Sequence, residues 1–102
     1  MRYSTLLVAP LLSACSFSFM QYDNTPLVKA TYNDHATKES VIAAGGKPDS
    51  ELTLSDRGTC LNYTLRNGSD SMPFYIAFDE HGKRNHYGYI TCQSAQTKRI
   101  LK

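Results

Sequence analysis

The chain lacks a strong charge of either sign, an apolar run long enough to cross a bilayer, and any Cys-x-x-Cys pair. With 11 basic and 9 acidic side chains in 102 residues the formal charge is +2, a balance too weak to argue for a nucleic acid or a strongly acidic partner. The apolar centre at residues 5–12 falls far short of the roughly 20 residues a spanning helix needs, so it reads as something other than a membrane anchor of its own. Without a two-residue cysteine spacing or a recognisable His and Cys ligand pattern, the usual redox and zinc signatures are missing too. At this length one small domain is the limit.

What is present begins with Arg2, the apolar centre and the small residues Ser13 and Ala14, which is the layout of an export signal. Its end, Leu12-Ser13-Ala14-Cys15, resembles the bacterial lipoprotein signal: an aliphatic residue, two small ones and the cysteine that is modified. The resemblance implies cleavage before Cys15, a diacyl group on its sulfur and a third chain, such as palmitate, on its amine. Three acyl chains exceed what stable anchoring requires. Ser16 rather than Asp follows the cysteine, which by the sorting rules of double-membraned bacteria implies the outer membrane with the domain facing the periplasm. Removal of residues 1–14 would leave 88 residues with ten basic and nine acidic side chains. An ordinary signal peptide with an incidental cysteine is the alternative.

Three cysteines in an exported chain leave one over from any pairing, and lipidation of Cys15 accounts for it. Cys60 and Cys92 then read as a disulfide, which suits a domain too small to bury a large core and an oxidising periplasm. The competing reading is a thiol-redox or metal-dependent periplasmic protein using Cys60 and Cys92, with Asp79, Glu80, His81 and His86 as conceivable ligands.

The division that follows is a signal at 1–14, a lipidated tether at 15–24, a domain at 25–92 and a frayed basic tail at 93–102. Thr25-Pro26 predicts a helix start, since Thr caps and Pro is tolerated at the first helical position. Thr37 predicts a second helix that Gly45-Gly46 ends, with Val41, Ile42 and Ala44 turned toward a sheet. From Ser50 the period becomes two, predicting strands at 51–55, 59–66, 74–79 and 84–92. Asn67-Gly68 signals a hairpin, with Ser69-Asp70-Ser71 expected to lengthen its loop. Leu61, Tyr63, Leu65, Phe74, Ile76 and Phe78 are the expected buried face, and Tyr75, Tyr87 and Tyr89 the expected partner surface. A simple meander sets Cys60 and Cys92 at opposite ends of the sheet, so a disulfide requires the last segment to bend or return. The fold class is therefore α+β, two short helices on a small three- to four-stranded antiparallel sheet.

Four strings carry a wider likeness. Gly46-Lys47-Pro48-Asp49-Ser50-Glu51, Arg57-Gly58-Thr59-Cys60, Tyr75-Ile76-Ala77-Phe78-Asp79-Glu80-His81-Gly82 and Gly88-Tyr89-Ile90-Thr91-Cys92 resemble the osmotically inducible lipoprotein E (OsmE) family. That family is similar to the SmpA/OmlA lipoproteins, which include the small E subunit of the β-barrel assembly machine. The resemblance implies a non-enzymatic interaction or scaffold module linked to osmotic or envelope stress. It supplies no catalytic residue, cofactor or metal, and its partners would be membrane lipid through the anchor and an envelope protein, with no nucleic acid. The chain departs from the pattern at Asp34-His35-Ala36-Thr37, where members enter the second helix through a Gly-containing turn. A β-lactamase-inhibitor-like binding module is a further reading, by fold analogy alone.

Overall fold

The computed structural model describes residues 25–101, so Cys15, the export signal and the tether at 15–24 lie outside the described residues. Helix α1, Pro26–Tyr32, starts as its sequence dictates: Thr25 accepts a hydrogen bond from the Val28 N–H, and Pro stands where no N–H is needed. Its Thr31, a poor helix former, turns its hydroxyl onto the Leu27 carbonyl at 2.8 Å and is fully buried. No glycine is needed between the helices. Asn33 closes the turn instead, its side-chain oxygen accepting from His35 N and its carbonyl from Ala36 N.

Helix α2, Lys38–Gly45, opens with a reciprocal capping box in which Ser40 takes the place usually held by Glu or Gln. Only Val41 is fully buried on it; Ile42 is half-buried, and Ala44, expected to face the sheet, is exposed. Gly45 lies under α1, where an added Cβ would come within 2.5 Å of Leu27. That approach fixes the spacing of the two helices.

Strands β1 (Ser50–Thr53), β2 (Thr59–Asn67), β3 (Asp70–Phe78) and β4 (Arg84–Gly88) form an antiparallel sheet in the order β1-β2-β3-β4. The β2–β3 loop is not lengthened as expected. Asn67 pairs with Asp70 across a two-residue loop in which Gly68 supplies the positive φ of 64°. Gly at the first loop position suits a type II′ turn, whose twist matches the strands, so Asn67 stays in β2. Counting the antiparallel alternation from that pair directs the position of the missing Pro73 N–H away from β2. β4 stops opposite Tyr75, before it would need that absent donor.

β4 ends at Gly88 rather than continuing through Cys92. Residues 89–91 carry the chain back over the sheet, and Cys92 opens a third helix, α3 (Cys92–Thr97), capped by Thr91. The expected frayed tail is thus replaced at 93–97 by helix, and Leu101 beyond it is only 7% exposed. α3 ends in a Schellman motif: Ile100 N bonds to the Ala95 carbonyl and Arg99 N to that of Gln96, with Arg99 at φ 63°.

The sheet consequently has two apolar faces. One buries Leu61, Tyr63, Leu65, Phe74, Ile76 and Phe78 against α1 and α2, as the alternation predicts. The other buries Leu54, Cys60, Tyr75 and Ala77 against Cys92, Ala95 and Leu101. β3 is buried on both sides from Phe74 to Phe78, which a period of two, read as one face in and one face out, does not anticipate.

Candidate functional site

Cys60 stands near the start of β2 and Cys92 at the first position of α3, and their sulfurs are bonded, with Cα atoms 6.1 Å apart. The returning segment resolves the conflict between the meander and the bond. Both cysteines are fully buried. Asn62 is the polar fastening beside them, a residue that no sequence motif singles out for that role. Its side-chain oxygen accepts from Cys92 N at 2.8 Å, and its amide donates to Gln93 Oε1 and Ser50 Oγ. One side chain therefore ties α3, β1 and β2 together.

Tyr75, expected at a partner surface, is only 2% exposed. That expectation is corrected: Tyr75 belongs to the second core, and the reason is the unforeseen cover of α3 and its flanking residues. Its ring also meets Gly88, where an added Cβ would lie 3.1 Å from Tyr75 Cε1. Burial pushes its phenol above the usual value.

Tyr87 and Tyr89 fall on the helix side. Tyr87 is 42% exposed, whereas Tyr89 is half-buried with its ring 5.1 Å from that of Phe74. They are joined by Tyr32 of α1, also 42% exposed, whose ring lies 5.3 Å from Tyr87 and whose hydroxyl lies 3.4 Å from the Tyr89 hydroxyl. Arg84 completes the group, its guanidinium 5.3 Å from the Tyr87 ring centre and hydrogen-bonded to the Thr31 carbonyl at the end of α1. No sequence pattern points to Arg84 beside Tyr87, since residues three apart on a regular strand point to opposite faces. A bulge resolves this: His86 pairs with Ala77 but Arg84 with Phe78, leaving Asn85 as the extra residue. The bulge brings Arg84 and Tyr87 onto one face.

The conceivable metal ligands do not converge. Asp79 closes a turn by accepting from His81 N and Lys83 N, and the Lys83 N–H, with help from that of His81, holds its carboxyl below the usual value. His86 instead lines a small depression with Leu54, Asp56 and Leu101. Among the described residues no group of three or more His, Cys, Asp or Glu side chains is arranged to hold a metal ion. Tyr63, on the helix side, donates its hydroxyl to the Gly46 carbonyl at 2.6 Å, with its phenol raised by burial and by Asp49 nearby. This bond from β2 holds the exit from α2.

These elements define a small disulfide-linked α+β module, with an exposed tyrosine cluster at one edge and a sulfur bridge sealed within. A solved crystal structure described as a candidate osmotically inducible lipoprotein OsmE shares this fold, at a TM-score of 0.71 and 26% sequence identity, over 80% of this chain and 94% of that one. The likeness read from the four strings is thus met by a structural match to an OsmE-type lipoprotein. No family model matches the chain, and no curated protein does so significantly. No helix among the described residues is long and apolar enough to cross a membrane.

Proposed function

We propose that this chain is a non-enzymatic lipoprotein of the outer membrane, anchored through acyl chains on Cys15, whose periplasmic domain makes protein contacts during osmotic or envelope stress. The observation that carries the reading is the structural match to a candidate OsmE lipoprotein in a chain that also has Leu12-Ser13-Ala14-Cys15 near its start. Tyr87 and Tyr89 remain as contact residues, now with Tyr32, because Tyr presents broad apolar area and a hydroxyl at little entropic cost. The disulfide serves the fold: while bonded and fully buried, the cysteine pair presents no thiolate.

The decisive experiment compares the full chain with Cys15→Ser in cells fed labelled palmitate. The native chain is expected to take up label and fractionate with the outer membrane, and Cys15→Ser to lose both. A labelled or membrane-bound Cys15→Ser protein would overturn the anchor. A photo-crosslinking residue at position 87, used in cells at raised osmolarity, is expected to capture an envelope protein, and capture of none would overturn the contact surface.

A further inference from the structure

The two faces of the sheet are covered by very different means. The helix side is closed by α1 and α2 with large apolar side chains such as Leu27, Val28 and Val41. The other side is closed by residues 92–101, whose buried side chains are Cys92, Ala95 and Leu101. α3 has six residues, too few to persist as a helix away from the sheet. Ala95 is its fully buried apolar residue besides the cysteine, and an alanine contributes little apolar area. What fastens this cover is the Cys60–Cys92 bond together with the Asn62 hydrogen bonds at its root.

We infer that residues 90–101 form a disulfide-latched cap over the Tyr75 face, which a dithiol reductant opens while the helix face of the domain stays folded. The step is thiol–disulfide exchange: one reductant thiolate attacks a sulfur of the bond, the S–S bond breaks, and the other cysteine leaves as a thiolate and takes a proton. The second reductant thiol then displaces the mixed disulfide. Two electrons pass to the protein, which gains two thiols, and the reductant leaves as a cyclic disulfide. Because both sulfurs are fully buried, the exchange proceeds through fraying of the cap. The opened state presents Leu54, Tyr75, Ala77 and the Cys60 thiol to solvent. This inference goes beyond the anchoring role and holds whether or not Cys15 carries lipid.

The two buried tyrosines give the test its internal control, since Tyr75 lies under the cap and Tyr63 lies on the helix side. The full chain is treated with dithiothreitol or left oxidised, its thiols are alkylated, and tyrosine nitration is mapped by mass spectrometry. On reduction, nitration of Tyr75 is expected to rise at least tenfold toward the level of exposed Tyr87, with Tyr63 unchanged. The Cys60→Ala/Cys92→Ala variant is expected to match the reduced chain. Continued protection of Tyr75 would show that the cap does not need its latch, and equal exposure of Tyr63 would show one cooperative unit; either overturns the proposal.

Discussion

On its helix side the sheet buries Phe74, Ile76, Phe78 and Leu61, while on the opposite side Tyr75 and Cys60 are the largest side chains that β2 and β3 bury. Fully burying a large aliphatic or aromatic side chain contributes roughly 1.5 to 3 kcal/mol, so the first face is held by area. The second has less area and adds a covalent bond and the half-buried Asn62 amide. The contrast teaches how a domain this small covers both sides of one sheet: two helices suffice for one, and a short segment suffices for the other once it is tied down. Surface charge contributes little to the difference, since the Lys38–Glu51 ion pair at 2.8 Å is solvated and such pairs are worth less than about 1 kcal/mol.

The comparison breaks most visibly at Phe74. Phe74→Ala leaves a cavity between β3 and the tyrosine cluster and is expected to cost about 3 to 5 kcal/mol in urea denaturation. A loss below about 1 kcal/mol would mean that the helix face does not dominate stability. Replacing both cysteines by alanine is expected to cost roughly 2 to 4 kcal/mol, through the freed unfolded chain and the released cap together. A cost clearly above that of Phe74→Ala would reverse the order of the two faces. Asn62→Ala removes the acceptor of the Cys92 N–H, and a loss of about 1 to 3 kcal/mol should follow by the same assay.

Two smaller effects sharpen the contrast. Arg99 adopts a positive φ of 63° at the end of α3, so Arg99→Gly is expected to raise stability by about 0.5 to 1 kcal/mol, read as a higher thermal midpoint. The phenols of Tyr63 and Tyr75 are both raised above their ordinary 10.0 by burial, one on each face. A group raised in the folded state contributes stability that is complete below its unfolded value and is lost as pH rises through its folded value. Stability should therefore fall above pH 10.0, and Tyr75→Phe or Tyr63→Phe should each flatten part of that fall. A urea midpoint unchanged between pH 9 and 11, roughly one unit either side of a free phenol, would contradict the burial of both hydroxyls.

Much of the architecture was legible because its signals are local. Thr25-Pro26 and Thr37 mark helix starts by cap chemistry, and the alternation in β2 and β3 marks the helix-side core. The tyrosine cluster was half legible: Tyr87 and Tyr89 stood out on a strand, but Tyr32 comes from α1, 55 residues before Tyr87, and no periodicity links them. Tyr75 was misread because its position alternates with Phe74 and Ile76, which marks the outer side of a sheet with one covered face.

Residue order alone was enough for the helix caps, the strand period, the pairing of two cysteines once Cys15 was set aside, and the likeness to an OsmE-type lipoprotein. Each of these rests on neighbours in the chain or on a count. Tertiary structure decided the rest, because it depends on segments far apart meeting in space. The extra residue at Asn85 moves Arg84 onto the face of Tyr87, and the ending of β4 at Gly88 lets Cys92 return to Cys60. A strand's alternation assigns a residue to one side of a sheet; whether that side meets water or another part of the chain is settled only when the chain folds back, as it does here over Tyr75.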